Sequence, residues 1–178
     1  SNVLETTFTT ATGSVRITDS LNSGHAGRLP WSELARRIDG LSGEVELAID
    51  LRVGDRFGET EPLGSIEPND GATRLGDLVI QLRTTEDCKL SGGERGRMLL
   101  RTTAGSRSTL GLLVTDGQPL MDTAIEDIDV RLDRSDEQWK NWSEDLQYDG
   151  PYAERVIRSA LALKLLLFSP TGAIAAAA

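Results

Sequence analysis

The chain has 178 residues, with 19 Lys plus Arg against 28 Asp plus Glu and a formal charge of −9; 38% of its residues are hydrophobic and only 4% aromatic. One domain, or one domain with an appendage, fits that length. Nucleic-acid binding draws its affinity from clustered Lys and Arg, and here the basic residues are dispersed among a larger number of acids, which excludes a nucleic-acid partner.

Cys88 is the only cysteine and His25 the only histidine. Zinc sites built from several Cys and His ligands and an intrachain disulfide framework are therefore excluded, and no metal or cofactor is expected. No apolar run reaches the ~20 residues of a membrane-spanning helix. The opening Ser1-Asn2-Val3-Leu4-Glu5 has no basic region followed by an apolar stretch. A soluble, cytoplasmic protein without a membrane partner is expected, and the missing initiator Met suggests a processed or excised fragment.

From Val3 to about Val114 the period is mostly two, broken by Gly, Asp, Asn and Ser at hairpin intervals. Leu4 to Thr10 and Ser14 to Asp19 flank Ala11-Thr12-Gly13, a hairpin connection with a glycine available for positive φ. A loop from about Ser20 to Pro30 follows and holds His25. Leu34 to Leu41 and Val45 to Val53 sit around a break at Ser42-Gly43-Glu44. In the second of these segments Val45, Leu47, Ile49, Leu51 and Val53 share one face, while Glu46, Asp50 and Arg52 share the other. That strand covers a core on one side and leaves the other wet. Leu78 to Leu82, Gly96 to Thr102 and Thr109 to Val114 complete about seven short strands, for which an antiparallel two-layer β-sandwich is the economical architecture.

Near Asp122 the period changes. Ile125, Ile128, Leu132, Trp139 and Trp142 follow helical spacing with charged residues between them. Asp149-Gly150-Pro151 breaks that helix and opens another. Tyr152, Val156, Ala160, Leu163 and Leu167 form the stripe of the second helix, joined by Ile157, Leu161, Leu165 and Leu166. An edge helix of a small domain is apolar on one stripe only, so this helix requires partners on several sides. The predicted organisation is a sandwich over 1–121, a linker helix within 122–149 and a C-terminal helix within 150–178, where the chain ends in an alanine run as if cut inside a larger protein.

Several short motifs carry a bland reading beside a chemical one. Leu90-Ser91-Gly92-Gly93-Glu94-Arg95 matches the signature loop of ATP-binding-cassette ATPases, but such enzymes also need a phosphate loop ending in Gly-Lys-Ser/Thr, and the chain contains no Gly-Lys pair. It reads as a turn between strands. His25, in a Gly- and Ser-containing loop, reads as a solvated histidine rather than a general base. Cys88, between Asp87 and Lys89, reads as a strand-end thiol with no second histidine to activate it. Asn141-Trp142-Ser143 matches a glycosylation sequon at the end of a predicted helix and reads as chance. Carboxylate pairs for acid–base work are defined by separation in space, so sequence spacing selects none among 28 acids. Trp139 and Trp142, on the stripe with Leu132, read as core rather than as a sugar platform. No catalytic, cofactor-binding or metal-binding residue is assigned.

Taken together, Leu4-Glu5-Thr6-Thr7-Phe8, Gly13 to Asp19 and Arg36 to Val45 resemble the N-terminal β-sandwich of bacterial glucoamylase- and trehalase-like enzymes of glycoside hydrolase family 15. Trp139-Lys140-Asn141-Trp142, Gly150-Pro151-Tyr152, Arg158 to Leu166 and Pro170 to Ala177 resemble that family's linker helix and the opening of its (α/α)₆ barrel. The resemblance is loose between about Gly54 and Leu120. It implies that 150–178 is the truncated start of a catalytic barrel whose glucosyl-binding stretch and two catalytic glutamates lie beyond Ala178, so no catalytic residue carries over. For the parent it implies inverting hydrolysis of an α-glucosidic bond, in trehalose first and malto-oligosaccharides second. The expected function is the non-catalytic N-terminal portion of that hydrolase, inactive alone, with the missing barrel as its partner. The alternative is a free-standing carbohydrate-binding or protein-interaction sandwich. The exposed C-terminal helix favours the first and makes the isolated chain prone to homo-oligomerise.

Overall fold

The computed structural model describes residues 1–24, 28–51, 53–54, 66–85, 89–90, 97–168 and 171–175. It is mainly antiparallel β with two helices. In chain order the elements are β1 (Leu4–Thr9), β2 (Gly13–Leu21), β3 (Ser32–Asp50), β4 (Thr73–Leu75), β5 (Leu78–Thr84), β6 (Lys89–Leu90), β7 (Arg97–Thr103), β8 (Arg107–Asp116), α1 (Ile125–Glu144), α2 (Ala153–Leu165), and a terminal pair of two-residue strands, β9 (Leu167–Phe168) and β10 (Ala173–Ile174).

The β1–β2 hairpin forms as its sequence predicts. Thr10 N–H donates to Gly13 O at 2.8 Å, and the Thr10 hydroxyl accepts from Thr12 N–H and Gly13 N–H, so the turn's polar groups are satisfied locally. The large layer then runs β1-β2-β3-β8-β5-β4, with β3 between β2 and β8.

The expected break at Ser42-Gly43-Glu44 is not a hairpin. β3 continues through it for 19 residues. Ser32 to Asp39 pair with β8, whereas Glu44 to Asp50 pair with β7. Backbone partners explain why the strand does not end there: Gly40 N–H donates to Ser106 O, Glu44 N–H to Thr12 O, and Gly43 O accepts from Ala104 N–H. A bulge in the β2 pairing between Ser14 and Val15 accompanies the bend. One strand thus passes from the large layer into a small second layer made with β7 and β6, the usual way a sheet turns a corner. Gly43 makes the bend with φ +58°, and a Cβ there would lie 2.1 Å from Thr12 O.

The core lies between the two layers. Val15, Ile38, Ile80, Leu82 and Leu110 contribute from the large layer, Val45, Met98 and Leu100 from the small one, and Ile66 from the connection before β4. The alternation read from Val45 onward holds, with Leu47, Ile49, Leu51 and Val53 packed against this core. β4 and β6, at three and two residues, are too short to leave a period in the sequence.

Helix α1 covers the opposite face of the large layer. Ile128 and Leu132, one turn apart, are fully buried with Ala35 and Leu113. Ala35 faces Gly111 across the β3–β8 ladder, and a Cβ on Gly111 would stand 2.5 Å from Ile128 Cδ1. Two small residues therefore floor the helix seat. No helix among the described residues is long and apolar enough to cross a membrane.

Substituting Gly43→Ala forces an L-residue into the left-handed region and against Thr12. We expect a loss of at least about 1–2 kcal/mol in urea denaturation of the chain. Unchanged stability would mean that β3 does not bend through Gly43.

Candidate functional site

The outward face of β3 carries Glu33, Ala35, Arg37 and Asp39, and α1 crosses over it. Ile128 and Leu132 sit above Ala35, and charged side chains close the seat on either side. On one flank, Glu33 is 1% exposed. Its Oε1 accepts from Asn22 Nδ2 and Arg131 Nε, each at 2.8 Å, and its Oε2 accepts from Trp31 Nε1 at 2.9 Å and Arg131 Nη2 at 2.8 Å. Four donors saturate this carboxylate. It has no lone pair left for proton transfer, so its geometry is that of a structural ion pair rather than of a general acid or base.

On the other flank the polarity reverses. Arg37 Nε donates to Asp129 Oδ1 and Arg37 Nη1 to Asp133 Oδ1, both at 2.6 Å, while Arg37 Nη2 reaches the Asp129 carbonyl at 3.0 Å. Thr109 Oγ1 also donates to Asp129. Burial works against the Arg37 charge, but the hydrogen bonds to Asp133 and Asp129 outweigh it and hold the guanidinium above its ordinary range. Asp39 extends the network, accepting from Arg107 Nε at 2.7 Å with Arg16 Nη2 3.5 Å away.

Two concavities border this seat. An open cleft of about 490 Å³ lies where β2 ends, β3 begins and β8 ends; Arg28, Trp31, Glu33, Asp116 and Gln118 are among its walls. Trp31 is half-buried. Its indole is tethered to Glu33, and the Arg131 guanidinium lies over its ring at 6.0 Å. A second groove of about 310 Å³ runs between α1 and α2, lined by Ser23, Gln138, Trp139, Trp142, Lys164, Leu165 and Leu167. There the two tryptophans pack edge to face with centroids 6.4 Å apart, and Lys164 Nζ sits 4.9 Å from the Trp142 centroid. Both rings are half-buried rather than core. The apolar stripe of α1 passes from the sheet to the α2 side beyond buried Ser135, whose hydroxyl accepts from Ser23 N–H at 2.9 Å.

Helix α2 is held sparsely. Only Leu161 is buried; Tyr152 is 73% exposed, Leu163 51% and Leu165 50%. Asn2 Nδ2 donates to Leu161 O at 3.0 Å, and Arg158 Nη1 donates to Ser1 O and Asn2 Oδ1. Tyr152 starts the helix with φ 63°.

His25, Cys88 and the Ser91–Arg95 part of the ATPase-like loop lie outside the described residues. Of the sequon, Trp142 faces the groove and the Ser143 hydroxyl donates to Lys140 O. Among the described residues no group of three or more His, Cys, Asp or Glu is placed to hold a metal ion. Neither the Glu33–Arg131 pair nor the Arg37–Asp129–Asp133 cluster was selected by sequence. Their partners lie 92 to 98 positions apart, and the one local signal is Asp129 and Asp133 at i, i+4 on the helix.

Removing one partner of a buried pair leaves an uncompensated charge. Arg131→Met should cost about 3–5 kcal/mol in urea denaturation at neutral pH, and Glu33→Leu with Arg131→Met should recover much of it. A loss below about 1 kcal/mol, the range of surface pairs, would contradict a buried Glu33.

No family model and no solved structure matches the chain. Two curated proteins are similar to it. The trehalase of Thermoplasma volcanium is 27% identical over 185 residues, covering 99% of this chain and 28% of that protein. The trehalase of Thermoplasma acidophilum is 26% identical over 170 residues, covering 92% of this chain and 28% of that protein. The chain thus spans a little over a quarter of the length of these relatives, and it is distantly related to trehalases.

Proposed function

We propose that the chain is the non-catalytic N-terminal portion of an inverting α-glucosidic hydrolase of the glycoside hydrolase family 15 kind, acting on trehalose in preference to malto-oligosaccharides. The observation that carries this reading is the likeness to two trehalases along nearly the whole chain but only 28% of each relative. Side-chain chemistry supports the non-catalytic part. Inversion needs one carboxylic acid to protonate the leaving oxygen and one carboxylate to activate water, and the most buried carboxylate among the described residues, Glu33, is saturated by donors. In this reading the remainder of the polypeptide forms the catalytic barrel and covers the exposed apolar side of α2, where Tyr152, Val156, Leu163 and Leu165 stand in water. A cytoplasmic location belongs to the same reading, supported by a chain with one cysteine and hence no internal disulfide.

The isolated 178-residue chain should release no glucose from trehalose or maltose, whereas the longer gene product should release β- and α-glucose from trehalose in equal early amounts, β from the glycosyl half that water attacks and α from the leaving half, as followed by proton NMR. Early α-glucose alone from both halves would make the parent a retaining enzyme. Activity of the isolated chain that survives repurification would remove the non-catalytic reading.

The isolated chain should also self-associate through α2. At about 25 cal/mol per Å², burying the exposed parts of two leucines stabilises a dimer by on the order of 1–3 kcal/mol. Sedimentation velocity should show concentration-dependent association that Leu163→Glu with Leu165→Glu abolishes. An unsubstituted 178-residue chain that stays strictly monomeric would contradict it.

A further inference from the structure

The cleft beside Trp31 has features that its place in the fold does not require. It lies at the end of the large layer, and its volume of about 490 Å³ is within the ~300–1,000 Å³ of small-molecule sites. Its aromatic wall is fixed in advance. Trp31 is half-buried, yet its indole N–H is held by a carboxylate that is itself locked by Arg131, and the same guanidinium lies over the ring. Side-chain order of this kind in a partly exposed tryptophan is what a preformed ligand wall needs.

Some of the polar groups around that wall are uncommitted. Among the described residues neither the Arg28 nor the Asp116 side chain has a hydrogen-bond or ion-pair partner, and both residues line the cleft. Gln118 lines it as well, its main-chain carbonyl accepting from the Thr115 hydroxyl. Asn22 spends its amide N–H groups on Glu33 Oε1 and Ile128 O, which leaves its buried Oδ1 without a donor. A buried acceptor without a donor calls for one from a ligand or water.

We propose that this cleft binds a neutral polyhydroxylated ligand, a sugar of one or two rings, with Trp31 as the apolar wall and Arg28, Asp116 and Gln118 as the hydrogen-bonding groups. Charge decides the class. One guanidinium and one carboxylate present donor and acceptor together, which suits hydroxyl groups that do both. An anionic ligand would meet Asp116 and a chain of net charge −9, and a cationic one would meet Arg28. The saturated Glu33 leaves the cleft a site of recognition and not of hydrolysis. That the ligand is a sugar rather than another polyol rests on the function proposed above; the neutral polar class rests on the lining alone.

The test is a titration of the 178-residue chain with trehalose, maltose and glucose, with inorganic phosphate as the anionic probe, followed through the indole N–H resonances in ¹H–¹⁵N spectra. Trp31→Phe assigns the Trp31 signal. We expect a saturable shift of that signal with at least one sugar and none with phosphate. Asp116→Ala, an exposed substitution away from both cores, should weaken binding about tenfold, the factor that about 1.4 kcal/mol gives, without altering the melting temperature. The proposal is overturned if no sugar moves the Trp31 signal, if the shifts fall on Trp139 and Trp142 instead, if phosphate alone binds, or if Asp116→Ala leaves the affinity unchanged. Failure here is distinct from failure of the proposed function: a longer gene product that hydrolyses trehalose while this chain binds no sugar removes only the cleft, and sugar binding in a parent without glycosidase activity removes only the hydrolase.

Discussion

The seat of α1 on β3 is the constraint on which the rest of the structure depends. Ala35 and Gly111 let the helix come close, and Ile128 and Leu132 fill the space above them. Close approach alone would permit the helix to rotate or reverse. The flanking charges remove that freedom, because the sheet offers a carboxylate at Glu33 and a guanidinium at Arg37, while the helix offers Arg131 on one side and Asp129 with Asp133 on the other. A reversed helix would set like charges together. Desolvation makes such pairs a weak source of net stability, but a mismatched buried charge is strongly disfavoured. Their effect is therefore on the geometry that is chosen.

That geometry organises both concavities. Arg131 binds Glu33, Glu33 fixes Trp31 and Asn22, and those residues form part of the wall of the large cleft. One turn further on, Ser135 and Gln138 tie the segment after β2 to the helix, through Ser23. The far end of α1 then carries Trp139 and Trp142 to α2. A single helix thus connects the sheet, a polar cleft and an apolar groove, and its placement propagates to all three.

β3 has the corresponding role among the strands. In its first half the face under α1 is buried from Glu33 to Asp39 and Ile38 reaches the sandwich core from the other face, while its second half forms the small layer. The contrast with α2 is large. That helix rests on Leu161 and a few hydrogen bonds to the first two residues, and most of its apolar surface is open. In the function proposed above, that open surface is the one that the remainder of the polypeptide covers.

The sequence by itself determined what depends on local period. Alternation from Val45 onward, the Thr10–Gly13 turn, the helical spacing of Ile125, Ile128 and Leu132, and the exposed apolar surplus of α2 were all legible, because each is set by neighbours within a few residues. The path of β3 was not. Ser42-Gly43-Glu44 has the composition of a turn, and only backbone partners from Thr12, Ala104 and Ser106 make it a bend within one strand. Nor was the seat of α1 legible. Glu33, Arg37 and Asp39 alternate with Leu34, Arg36 and Ile38 as the wet face of a strand would, and Asp129, Arg131 and Asp133 look like a solvated helix face. Whether a charge is solvated or paired depends on what the fold brings opposite it, and those partners are 92 to 98 residues away. The tertiary structure alone decided that these charges are buried, that Trp139 and Trp142 line a groove, and that Trp31 is held at the wall of a cleft.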